Sequence, residues 1–133
     1  MREKIGMILH IVKRSEWEDA KRRGSYAPAS VGAEGFIHCS TVEQLLDTAN
    51  RFYRGQKDLI VLCIEESRLN APLKFEAPSI PEDQKRDGLF PHIHGALNLA
   101  AVTAVIEFPC ADDGTFLMPR GAEFGPQGRI ASR

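Results

Sequence analysis

Three short stretches hold the side chains that have chemistry to offer. "MILHIV" places His10 among aliphatic residues, "GFIHCS" sets His38, Cys39 and Ser40 in a row, and "FPHIHG" sets His92 and His94 two residues apart. An imidazole inside an apolar strand costs free energy unless its nitrogens are paired. Such a histidine therefore either holds a backbone partner or serves a site. Histidines also titrate near neutral pH and can orient hydroxyls or transfer protons. The spacing of His92 and His94 puts both rings on one face of an extended chain, where they could share an ion. A third ligand is then needed, and the acidic residues nearby, Glu82, Asp83 and Asp87, follow no pattern. No metal is expected, and a metal-assisted hydrolase on His92 and His94 stands as an alternative. Cys39 and Ser40 lie in neither a GxSxG elbow nor a CxxC pair. Ser40 reads as a helix N-cap, and that helix start would offer free N–H groups to an anion beside His38.

The elements that must position these residues follow from periodicity. "MILHIV" is short and almost wholly apolar, which predicts a central strand. In "SEWEDAKRRG", Ser15 and Glu18 have capping-box spacing, Trp17 and Ala20 form an inner face, and Gly24 closes a helix. "SYAPASVGAEG" reads as a loop and "FIHCS" as a second strand. A second helix follows in "STVEQLLDTANRFYRG", capped by Ser40 and Glu43, with Val42, Leu45, Leu46, Ala49, Phe52 and Tyr53 as its apolar stripe. "DLIVLCIEE" and "AVTAVIEF" predict buried strands, and "LKFEA" a strand that pairs nearby. The stretch from Pro78 to Asn98 reads as a long irregular loop. "DDGTFLMP" turns at Asp113-Gly114 and returns as a last strand. This order predicts an α+β fold with two main helices, and not a doubly wound parallel sheet.

The totals narrow the functional classes. A chain of 133 residues fits one domain, here residues 7–119, followed by a Gly-rich tail, 120–133, expected to be disordered. A net charge of -1 gives no global basic excess for nucleic acid. No apolar run approaches the roughly 20 residues of a membrane span, and no signal peptide is legible. Three scattered cysteines, Cys39, Cys63 and Cys110, point to a reduced, cytoplasmic setting.

Two segments together, "ILHIVKRSEWEDAKRRGSYAPASVGAEGFIHCST" and "FPHIHGALN", resemble the bacterial domain of unknown function nine-five-two, over Met7 to about Pro119. A more remote resemblance is to the ADP-ribosyltransferase fold and, through the "HCS" strand end, to the RNA 2'-phosphotransferases. That resemblance implies a compact β-sheet core in which His10 holds NAD through its ribose and His38 with Ser40 takes the second motif position. His92 or His94 falls near the third position, where protein-modifying members carry Glu, and Glu76 is the nearest strand carboxylate. Ile11 stands where the superfamily usually has Gly, a departure that points away from ordinary NAD binding.

The resulting expectation is a histidine-lined pocket for NAD, ADP-ribose or a related nucleotide, with an RNA end as a further partner. His10, His38, His92 and Glu76 are the catalytic candidates, and His10, Tyr26, His38, Ser40 and His94 the binding candidates. The pocket serves either an ADP-ribosyl transferase or hydrolase, or a non-catalytic nucleotide-binding module.

Overall fold

The computed structural model of the chain describes residues 6–78 and 88–119. The expected tail and the acidic residues Glu82, Asp83 and Asp87 lie outside the described residues. The architecture is α+β, with helices and antiparallel sheets. Strand β1 (Met7–Lys13) runs straight into helix α1 (Arg14–Arg23), followed by β2 (Ser25–Tyr26), α2 (Ala29–Glu34), β3 (Ile37–His38) and α3 (Leu45–Phe52). Then come β4 (Leu59–Glu65), β5 (Leu73–Glu76), β6 (Phe90–Ile93), β7 (Leu97–Asn98) and β8 (Val102–Glu107). The strands form three sheets with orders β1-β4-β8, β2-β7 and β3-β6-β5. Among the described residues no helix is long and apolar enough to cross a membrane.

Strand β4 is the spine. It pairs with β1 from Met7↔Glu65 to Lys13↔Leu59 and with β8 on its other side. Alternation along the two strands feeds two cores. Ile8, Val12, Ile60, Leu62 and Ile64 join Trp17 of α1 and Ile37 and Ile93 of the β3-β6-β5 sheet. Leu9, Ile11, Leu59, Val61 and Cys63 join Leu45 and Ala49 of α3, with Phe108 and Phe116. Strand β1 is thus not central, as its composition suggests, but an edge strand whose outer side is tied to another segment. Leu9 and Ser40 exchange both backbone hydrogen bonds, each 2.8 Å long.

Several local expectations change for physical reasons. Helix α1 starts at Arg14, with Lys13 as its cap residue and no side-chain cap. The Arg14 N–H instead donates to the Asp58 carbonyl across the β1–β4 end, at 3.0 Å, so Ser15 is not needed there. Ser40 does not cap α3. Its backbone belongs to Leu9, and its hydroxyl donates to Thr48 Oγ1 at 3.0 Å. The reciprocal capping pair sits one residue later: the Gln44 N–H donates to Thr41 Oγ1 and the Thr41 N–H to Gln44 Oε1.

The stretch read as a loop contains α2, which closes on Gly35 at φ 90°. Only glycine adopts that angle at little cost. Phe90–Ile93, also read as loop, is β6. "AVTAVIEF" forms β8 but, at the edge of its sheet, it is half-buried on one face and exposed on the other, where Val105 lies. "DDGTFLMP" turns at Asp112–Gly114 but forms no strand; Phe116 instead inserts into the core beside Phe108.

Candidate functional site

The β3-β6-β5 sheet has two unlike faces. Ile37 and Ile93 are directly opposed and point into the core, whereas His38 and His92, the next opposed pair, lie on the other face. Phe36 lies on that second face. It stacks on His92 at a ring separation of 4.1 Å and touches His38 and His94 at 4.9 and 5.2 Å. The rings of His38 and His92 meet edge to face, 5.4 Å apart. Phe36 forms the floor beneath three imidazoles.

Each histidine of this face has a carboxylate. His38 Nε2 and Glu34 Oε1 are 2.5 Å apart, joining β3 to the last residue of α2. His92 Nδ1 and His94 Nε2 both converge on Glu76 Oε1, at 2.7 and 2.9 Å, joining β6 and its exit to β5. Two donors on one oxygen favour the ionised form, so the His94 and His92 hydrogen bonds hold the Glu76 carboxyl below its usual range. Burial pulls the His92 imidazole down, against the upward pull of Glu76. Neither His92 Nε2 nor His38 Nδ1 has a protein partner among the described residues.

His10 is a different kind of histidine. It is buried, with Nδ1 2.7 Å from the His38 carbonyl and Nε2 2.8 Å from the Tyr26 hydroxyl. A carbonyl can only accept, so Nδ1 carries the proton and Nε2 accepts from Tyr26 O–H. Burial lowers the His10 pKa from 6.5 to about 4, and raises that of the Tyr26 phenol well above its usual value. Both groups are neutral at physiological pH, so His10 is a poor proton carrier there, contrary to the expectation that all these histidines titrate near pH 7.

These groups meet at a cavity of about 480 Å³ whose wall includes His10, Tyr26, His38, Cys39, Phe90 and His92. The volume suits a small organic ligand. Lys13 and Glu16 supply charge at its wall, and Thr48 and Phe52 of α3 and Tyr53 just after it face it. The contribution of α3 is thus its later turns, not the N-terminus expected to hold an anion.

Of the residues singled out from sequence, His10, Tyr26, His38 and His92 line the cavity. Ser40, His94 and Glu76 do not, and Glu76 reaches it only through His92. The "FPHIHG" segment forms part of the wall through Phe90 and His92. Burial pushes the Cys39 thiol far above its usual range, which leaves no thiolate for nucleophilic attack. Sequence reasoning missed Glu34 and Phe36. The four-residue spacing of Glu34 and His38 across a helix end was the available signal for the first.

Comparison with known proteins adds a lineage without an activity. A family profile described as "Protein of unknown function (DUF952)" matches residues 11–105. Two X-ray crystal structures of protein CC0527 from Caulobacter crescentus, one of a double mutant, are similar to the chain. Their TM-scores are 0.73 and 0.72, at 34% and 33% identity, with 84% of this chain and 93% of that chain covered. A solution NMR structure of CC0527 gives a TM-score of 0.68 at 34% identity, covering 82% of this chain and 90% of that one. No curated protein matches the chain.

Proposed function

We propose that this chain, which belongs to the DUF952 family of proteins of unknown function, binds a nucleotide in its histidine-lined cavity and cleaves or transfers an ADP-ribosyl or related ribosyl phosphate group. The observation that carries the reading is the placement of His38 and His92, 5.4 Å apart, on one cavity wall, each backed by a carboxylate. A carboxylate that accepts one imidazole N–H fixes the tautomer and leaves the other nitrogen able to take a proton. With Glu34 on Nε2, His38 offers Nδ1; with Glu76 on Nδ1, His92 offers Nε2. In the neutral state each free nitrogen is a base toward a bond held against the two rings, and the ring that has taken up a proton there acts as the acid.

Tyr26, whose proton is held by His10, accepts from a hydroxyl on the ribose side, and the aromatic and aliphatic walls take a flat ring. The meeting of His10 and His38 at one cavity agrees with what the ADP-ribosyltransferase resemblance implies for NAD or ADP-ribose as ligand. Glu76 acts behind His92 and not on the ribosyl group directly, and Ser40 and His94 serve as positioning residues.

A ligand-detected thermal shift with NAD, ADP-ribose, nicotinamide and RNA 2'-phosphate ends tests the reading. Saturation at about 100 times Kd adds about 2.7 kcal/mol by mass action. A shift lost in His38→Ala, with turnover in the wild type, supports the enzyme. A shift without turnover makes the chain a nucleotide-binding module, and no shift with any of the four removes the nucleotide reading.

A further inference from the structure

The cluster on the outer side of His92 has no part in that reading beyond orienting one ring, and it has a composition of its own. Glu76, His92 and His94 present one carboxylate oxygen and two imidazole nitrogens, all within 4.8 Å of one another. Three different backbone positions bring them there. Glu76 ends β5, His92 lies in β6, and His94 follows β6 just before Gly95. Gly95 adopts φ 145°, and a side chain begun there would meet the Ala71 methyl at 3.0 Å. The backbone is therefore shaped to turn immediately after His94 while keeping that ring on Glu76. The His94 N–H, bonded to the Pro72 carbonyl at 2.8 Å, pins the turn.

We infer that Glu76, His92 and His94 form a binding site for a divalent transition metal, zinc being the best match. Two neutral imidazoles and a carboxylate are borderline-hard ligands, the set that zinc takes with a fourth position left to water. The site is preorganised, because the three ligating atoms already converge without an ion. It is also accessible: the Glu76 and His94 side chains are 37% and 26% exposed, whereas His92 is 3% exposed and faces the cavity wall. Lys74 shares the sheet face, opposite His92, but is exposed and free to extend into water.

Occupancy has a consequence for the neighbouring cavity. Without metal, His92 carries its proton on Nδ1 and gives it to Glu76. With metal on the Nδ1 lone pair, the single proton of the neutral ring resides on Nε2. The cavity-side nitrogen then changes from acceptor to donor, with no gain or loss of protons by the protein.

The test is a competition titration of the full chain, stripped with a chelator, against a chromophoric chelator loaded with Zn²⁺. One equivalent is expected to bind, with affinity falling 10-fold or more in Glu76→Gln and in His94→Gln. Cys110→Ser is expected to retain it. Circular dichroism of each variant checks folding, and Co²⁺ substitution supplies a second readout. Visible d–d bands without thiolate charge transfer place the ion on N and O ligands. Substoichiometric binding, binding unchanged in both Glu76→Gln and His94→Gln, or a thiolate band would overturn the assignment. None of these outcomes depends on whether a nucleotide binds at His38.

Discussion

In the β1-β4-β8 sheet, β1 and β4 send apolar side chains to both faces; in the β3-β6-β5 sheet, one face is apolar and the other carries histidines. Strand β4 is buried along six consecutive residues and contributes side chains to two cores. Strand β6 sends Ile93 to one of those cores and His92 the other way, among Phe36, His38 and Glu76. Seven residue pairs join β1 to β4, but only two join β3 to β6. The long ladder supplies the stability that lets a short ladder carry buried polar groups. The same two-residue alternation does both jobs, and what differs is whether the second face meets apolar side chains.

The comparison breaks most visibly if the spine is truncated. Leu62→Ala removes a fully buried side chain and should cost about 2–5 kcal/mol in denaturant unfolding, with ligand and metal binding intact in the folded fraction. A cost below that range would mean that β4 is not the spine.

Acid supplies the next largest effect, through the one histidine of the site that belongs to the spine sheet. Folded His10 has a pKa of about 4 against 6.5 for the unfolded chain. Above pH 6.5 both states are neutral there and its contribution is constant. As pH falls, the unfolded state takes up the proton first, so stability drops by about 1.4 kcal/mol per unit. The loss reaches about 2 kcal/mol at pH 5 and levels off near pH 4. The groups facing His10 are the Tyr26 phenol and His38. Unfolding curves at pH 7.5 and 5 should show the drop, and His10→Gln should flatten it; an unchanged slope in that variant assigns the effect elsewhere.

Tyr26→Phe deletes the donor to a buried nitrogen and should cost about 1–2 kcal/mol at pH 7.5, read from the shift in denaturant midpoint. The smallest stability change belongs to the polar face. His38→Ala should alter unfolding by about 0.5 kcal/mol or less, while abolishing any ligand-induced thermal shift. A variant that unfolds instead would show that the β3-β6-β5 face is structural, and the contrast between the two sheets would fail.

The sequence legibly carried the parts that repeat. The stripes of α1 and α3 and the apolar runs of β1 and β4 have periods long enough to read, and Trp17, Ala20, Leu45 and Ala49 are buried where those stripes place them. Helix α2 was not legible because it has six residues and buries none of them. The Ser40 cap failed because a distant partner, Leu9, claimed the backbone that a local rule assigned to a helix. Strand β8 has the composition of a buried strand, but edge position is set by sheet order, which no local window contains. His10, Tyr26, His38 and His92 were identified by residue type and strand context, and they share a cavity. The Glu76–His92–His94 convergence was not legible as a unit, since it depends on the register of β5 against β6, which pairs Glu76 with Phe90.

The chain of hydrogen bonds that starts at the His38 carbonyl has a direction. The carbonyl fixes the proton on His10, and His10 fixes the proton of Tyr26, so the phenol oxygen has already spent its hydrogen. A guest that reaches Tyr26 meets lone pairs only. A carboxylate or phosphate oxygen finds no welcome there, whereas an amide NH₂ or a sugar hydroxyl completes the sequence as its final donor. At Tyr26 the wall of the cavity thus offers an acceptor and no donor, and that polarity is written into a backbone oxygen two hydrogen bonds away.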